Sequence, residues 1–215
     1  MMNISDKELG EMEKGYRATM INSLPGFKCL QLVGTMSENG HSNLGIFNSI
    51  FHLGASPALL GMIFRPDSAH HDTLKNIERT GLYTFNNVTE SFYQKAHQTS
   101  ARYPSGCSEF VECGLTEFFI PEFEVPFVAE STVKIVLKLC EVIPIKANNT
   151  TMVIGEIAHI LLSENLIGND GYIDHQKAKT VTVAGLDAYF NADLVARLHY
   201  AKPNLEPSIM EKFKR

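Results

Sequence analysis

The 215-residue chain is short of the features that announce a metal, a membrane or a nucleic acid. Its four cysteines, Cys29, Cys107, Cys113 and Cys140, contain no Cys-x-x-Cys pair, which excludes a zinc ribbon and a thioredoxin motif. Thiols this few and scattered are expected to be reduced, so the expected location is cytoplasmic. No apolar run approaches the roughly 18 residues that suggest a membrane span. From Met1 to Tyr16 acids alternate with lysines, without the apolar stretch of a secretory signal. Basic surplus is also missing. A net charge of −5 and an isoelectric point of about 5.9 make nucleic acid an unsuitable main partner, because phosphate backbones select a basic face.

The self-sufficient catalytic motifs are missing too. No Gly-x-Gly occurs, which excludes the Rossmann fingerprint. Gly10 and Gly15 have phosphate-loop spacing, but Tyr16-Arg17 follows where Lys-Ser/Thr is required. There is no Gly-x-Ser-x-Gly elbow and no His-Glu-x-x-His. His70-His71-Asp72 is the one cluster of potential metal ligands, and adjacent histidines leading into a helix diverge, so no metal is expected there. These absences favour a bound cofactor that carries the chemistry, or no catalysis at all.

What is present reads as one globular domain over residues 1–215, with its core at about 28–189: 44% of residues are hydrophobic and 20% charged. Strands are expected over Lys28 to Thr35, Asn43 to Phe51 and Ala58 to Arg65, the first two joined through an Asn39-Gly40 turn. Pro66 and Asp67 stop the third. A helix follows, with Asp72 or Thr73 as its N-cap and Gly81 at its C′ position. Leu82 to Val88 returns as a strand, a short helix is expected within Ser91 to Ser100, and a short turn or helix within Ser108 to Cys113. Thr132 to Leu139 alternates with period two, and Thr151 to Leu162 is apolar on both faces. Strands in groups, without regular strand–helix alternation, predict a mainly β fold: an antiparallel barrel with inserted helices.

Three segments carry a resemblance. They are Asn43 to His52 with Gly54 to Pro57 behind it, then Leu60 to Pro66 with Asp72 to Ile77 and Gly81, then Gly155-Glu156 with Asp170 to Asp174. In this order and spacing, the chain from about Lys28 to Tyr189 resembles the flavin reductase-like family. The resemblance implies an FMN-binding split β-barrel, usually a homodimer with FMN between subunits. Family activities run from NAD(P)H-dependent flavin reduction to electron carriage. The implied reading is an FMN-dependent oxidoreductase that passes electrons to a flavin, a metal chelate or a protein. Two alternatives stand beside it: an FMN electron carrier without NAD(P)H activity, and a non-enzymatic split-barrel binding protein.

The candidate cofactor residues can be weighed on their chemistry. Asn48 and Ser49, with Ile50 behind them, end an otherwise apolar run and offer an amide and a hydroxyl to a polar ring edge; the plainer alternative is a turn. Arg65 emerges from an apolar strand with a planar fork that suits phosphate oxygens, and Thr73 stands near a helix start that also favours an anion. The alternative for Arg65 is an ion pair with Asp72. Lys95, Ala96 and His97 lie where family members bring cofactor contacts; the alternative is a solvated helix face. Tyr103-Pro104 and Ser108 to Phe110 read as a lid segment. His159 and Glu156 are expected to be structural. Hydride transfer needs no protein nucleophile, so no catalytic residue is named. A homodimer is expected because one barrel interior covers only one face of Thr151 to Leu162.

Overall fold

The computed structural model describes residues 1–66, 71–104 and 106–210, so Asp67 and His70 of the readings above lie outside the described residues. The charged N-terminus folds into two short helices, α1 (Asp6–Glu11) and α2 (Lys14–Ser23). Ser5 and Glu8 form a capping box on α1, and the Glu13 carboxylate accepts the N–H groups of Gly15 and Tyr16 at the start of α2. Neither helix buries a residue.

The expected strands exist, but two of them divide. Lys28 to Thr35 becomes β1 (Phe27–Lys28) and β2 (Gln31–Met36), while Asn43 to Phe51 becomes β3 (Ser42–Phe47) and β4 (Ile50–Ala55), broken at Asn48-Ser49. β5 (Ala58–Phe64) pairs with β4. α3 (His71–Thr80) begins one residue before Asp72, which places Asp72 and Thr73 in its first turn rather than at its cap. Gly81 follows with φ +69° and donates its N–H to Ile77, the C′ role its missing Cβ permits. Next come β6 (Leu82–Asn87), α4 (Tyr93–Gln98) and α5 (Glu109–Cys113). The hairpin of β7 (Glu117–Ile120) and β8 (Phe123–Val128) has no counterpart in the sequence reading. Two thirteen-residue strands, β9 (Val133–Ile145) and β10 (Thr150–Leu162), precede the hairpin of β11 (Val181–Ala184) and β12 (Ala188–Asn191).

Seven strands form one antiparallel sheet in the order β3-β2-β6-β9-β10-β5-β4. β3 and β4 are consecutive in the chain yet occupy opposite edges. Two residues, Asn48 and Ser49, must therefore carry the chain from one edge to the other, which requires the sheet to curl until its edges converge. The Ile63 N–H donates to the Ser49 carbonyl at 3.0 Å, where that crossing meets β5. The result is a split β-barrel. Its interior is filled by Val33, Phe47, Met62, Phe64, Tyr83, Phe85, Leu137 and Val153. A second cluster around Leu30, Leu44, Phe92 and Phe110 joins α4 and α5 to the barrel's flank.

Alternation over Thr132 to Leu139 holds, with one exception. Val136 lies among the outward positions and is nonetheless fully buried, because Val125 and Phe127 of the β7–β8 hairpin cover it. On β10, Val153 and Ile154 are buried, whereas Ala158 and Ile160 are exposed. No helix among the described residues is long and apolar enough to cross a membrane.

Candidate functional site

The split opens into a cavity of about 590 Å³, within the range of small-molecule and cofactor sites. Leu30, Ile46, Phe47 and Ile63 supply apolar wall. Asn48 and Ser49 line it from the crossing, Arg65 and Pro66 from the end of β5, and His97 and Ser100 from α4 and the residues after it. Leu186 and Asp187 of the β11–β12 turn, with Tyr189 of β12, close another side.

Asn48, Arg65, His97 and Tyr189 are each held by a neighbour. The Asn48 amide donates to the Gly185 carbonyl at 3.0 Å and so ties the crossing to the β11–β12 turn. Lys28 donates to the same carbonyl at 3.2 Å. Burial, followed by the nearby Arg65 charge, pulls the Lys28 ammonium below its ordinary value. Two cations therefore approach one another beside the cavity. Among the described residues neither has an ion-pair partner, and Arg65 does not pair with Asp72. The Arg65 guanidinium instead donates to the Asn22 side-chain carbonyl of α2 at 2.8 Å. The Tyr189 phenol lies 2.7 Å from His97 Nδ1 and stacks at a tilt on Tyr93. Burial, with a smaller contribution from the Asp187 charge, pushes Tyr189 up to about 12, so its hydroxyl keeps its proton at neutral pH.

The structure brings together four of the eight sequence candidates: Asn48, Ser49, Arg65 and His97. It places the other four elsewhere. Ile50 is buried in the barrel core, since residues alternate across β4. Ala96 is fully buried in the flank cluster. Thr73 is also fully buried: its hydroxyl accepts from Asn43, whose amide also donates to Thr35, pinning α3 to β2 and β3. Lys95 donates to the Gly114 carbonyl at 2.7 Å and joins α4 to the end of α5. The expected lid is pinned as well, since Glu109 accepts the Leu44 N–H and the Tyr103 ring packs against the flank cluster. His159 stays outside the cavity, with its ring beside Phe123.

The sequence reading did not find Lys28, Asp187 or Tyr189. Lys28 and Tyr189 lie at the edges of the segment that carries the resemblance, and only the pairing of β1 with β11 brings them to one place. Their one local signal was the polar stretch Gly185-Leu186-Asp187 between two apolar runs.

The model of the flavin reductase-like domain matches residues 29–182. The chain belongs to the flavin reductase-like family. Solved structures share its architecture. A flavin reductase candidate with a split barrel domain from Shewanella frigidimarina NCIMB 400 is 45% identical, with a TM-score of 0.90, covering 94% of this chain and all (100%) of its own. Nitrilotriacetate monooxygenase component B from Bacillus cereus is 19% identical and shares the fold, with a TM-score of 0.80 over 92% of this chain and 98% of its own. An uncharacterized Halalkalibacterium halodurans protein is 28% identical over 187 residues, 84% of this chain and 88% of that relative. As a member of this family the chain is a flavin-related oxidoreductase with a flavin as its cofactor.

The cavity fits that group. It combines apolar wall for a ring system, amide and hydroxyl groups for a polar edge, and two neighbouring cations without carboxylate partners among the described residues. Cationic donors beside a cavity favour an anionic ligand group.

Proposed function

We propose that the protein binds FMN in this cavity and acts as an NAD(P)H-dependent, flavin reductase-like oxidoreductase. The observation that carries this reading is Arg65 in a cavity that joins apolar wall to the Asn48–Ser49 polar edge, with Lys28 held on the Gly185 carbonyl beside it. Arg65 would hold the phosphate, with Lys28 adding positive potential. Asn48 and Ser49 would face the polar ring edge. The Asn48 amide N–H already donates to Gly185, so its side-chain oxygen is the group left to accept from a ligand. His97, oriented by Tyr189, would supply a hydrogen-bonding group at the opposite wall. Bound flavin would supply the redox centre, taking a hydride equivalent from NAD(P)H and releasing electrons to a flavin, a metal chelate or a protein acceptor. The protein's part is to bind and orient that group and to shield it from water.

A homodimer belongs to the same proposal. Residues 192–210 form an arm with almost no buried surface: Val195 is 99% exposed and Tyr200 92%. The arm's base is fastened by the Arg197–Asp170 ion pair at 2.6 Å and by Arg197 over the Tyr172 ring. Its far part is closed on itself by a Leu198–Ile209 bridge. A two-stranded clip with outward apolar side chains is marginal in water, and a second subunit would cover it together with Ile160 of β10.

Anaerobic titration tests the activity. A yellow preparation that bleaches on addition of NADH or NADPH supports the reading. A yellow preparation that either nucleotide leaves oxidised makes the protein an electron carrier. A colourless protein that takes up no FMN makes it a binding protein of another kind.

A further inference from the structure

Residues 1–28 lie outside the span matched by the family model, yet besides Lys28 helix α2 also reaches the cavity wall. Asn22, in the last turn of α2, accepts a hydrogen bond from Arg65 Nη2 at 2.8 Å. Its own amide nitrogen donates to the Ala18 carbonyl at 2.7 Å. The side chain is therefore clamped at both ends, with its oxygen turned to the guanidinium and its donors turned away. The helix that carries it is itself fixed: Glu13 caps its start, and Arg17 donates back to the carbonyls of Leu9 and Gly10 on α1. At its other end, Ser23 approaches Gly185, the residue whose carbonyl takes the Asn48 and Lys28 bonds. α2 thus touches both sides of the cavity while burying no residue of its own.

An arginine on an exposed strand end has many rotamers, and holding it for a ligand costs entropy at each binding event. One of its five N–H groups is spent on Asn22, which leaves four to meet an anion. Asn22 is neutral, so it restrains the guanidinium without cancelling its charge. A carboxylate at the same place would do the first and undo the second.

We propose that Asn22 is a positioning residue that presets the Arg65 guanidinium for the flavin's phosphate, so that an N-terminal helix outside the family domain sets the preference for phosphorylated over unphosphorylated flavin. This rests on the reading that Arg65 faces the phosphate, and the experiment separates the two.

The test compares FMN with riboflavin, read as quenching of flavin fluorescence, on the full-length chain and on Asn22→Ala, Asn22→Asp and Arg65→Ala. Asn22 is half-buried on a helix that buries no residue, and Ala is the best helix former, so α2 persists in the alanine variant. Losing the preset should weaken FMN about 5- to 10-fold and leave riboflavin unchanged. Asn22→Asp should weaken FMN further, because it keeps the acceptor but adds a negative charge beside the phosphate. The Asn22→Ala/Arg65→Ala double variant should bind no worse than Arg65→Ala alone. If Arg65→Ala removes the FMN preference while both Asn22 variants retain it, the proposal falls and the phosphate reading stands. If Asn22→Ala weakens FMN and riboflavin equally, α2 shapes the whole cavity and the proposal again falls. If Arg65→Ala itself leaves the FMN-to-riboflavin ratio unchanged, Arg65 does not read phosphate and both fall.

Discussion

Arg65 and Lys138 are both basic and both on or beside strands, but only Arg65 lines the cavity; Lys138 faces solvent on β9. Arg65→Ala is expected to raise the FMN dissociation constant roughly 10- to 100-fold, the equivalent of one charge-assisted contact, while Lys138→Ala leaves it unchanged. Equal constants for the two folded variants would remove Arg65 from the site. Glu109 makes a different case. Burial, with some help from the Asp72 charge, raises its carboxyl even though the Leu44 N–H donation acts to lower it. The folded chain then holds this proton to a higher pH than the unfolded chain does. Stability is therefore lost as pH rises from the ordinary carboxylate range through the raised value, and stays lower above it. Glu109→Gln keeps an acceptor for Leu44 and carries no charge. Its melting temperature should exceed the wild-type value near neutral pH, with the gap closing towards about pH 4, where both forms are neutral. A gap that is constant or widens on acidification would contradict this.

Between elements, the decisive contact is where β9 and β10 slip in register. Ile154 pairs with Glu141 and Gly155 with Leu139, which leaves Cys140 as the extra residue of a bulge. Gly155 stands at this point because the Tyr83 side chain occupies the place of its Cβ: a methyl group there would lie 2.1 Å from the Tyr83 hydroxyl oxygen. Tyr83 is fully buried, so its ring has no room to retreat. Gly155→Ala should destabilise the fold by about 1–3 kcal/mol in denaturant unfolding, and flavin binding should fall only as folding does. The Gly155-Glu156 pair that helped carry the resemblance is thus a packing device of the barrel. Legibility at this scale followed periodicity. α3 and β9 were readable because one face of each carries a regular apolar pattern, and β5 and β10 because they are apolar almost throughout. The β7–β8 hairpin was not, because Glu117 to Val128 is interrupted by Pro121 and Pro126 and carries acids among its aromatics.

For the whole molecule, the unburied arm and the half-exposed outer face of β10 set the expectation of a dimer. Full-length protein should stay dimeric by light scattering across a wide dilution range, with an interface of roughly 2,000 Å² or more. Truncation after Arg197 keeps the Asp170 anchor and removes the clip. That variant should dissociate at micromolar concentration and release its flavin. A full-length protein that is monomeric at micromolar concentration and still retains flavin stoichiometrically would exclude the dimeric site.

By itself the sequence determined the class of fold, since β-strand periodicity and turn residues are local properties, and it marked Arg65, Asn48 and Ser49 by their chemistry, and His97 through the resemblance, as candidates for a cofactor site. It did not separate them from Ile50, Thr73, Lys95 and Ala96, because a residue's neighbours in the chain do not say which side of a curled sheet it faces. Tertiary structure decided that. The sheet order puts β3 and β4 at opposite edges and forces the crossing at Asn48-Ser49. The β1–β11 pairing brings Lys28 and Gly185 to the same wall from opposite ends of the chain. Helix α2 delivers Asn22 to Arg65 across 43 residues of sequence. Contacts of that separation depend on closure of the barrel, which no local pattern encodes.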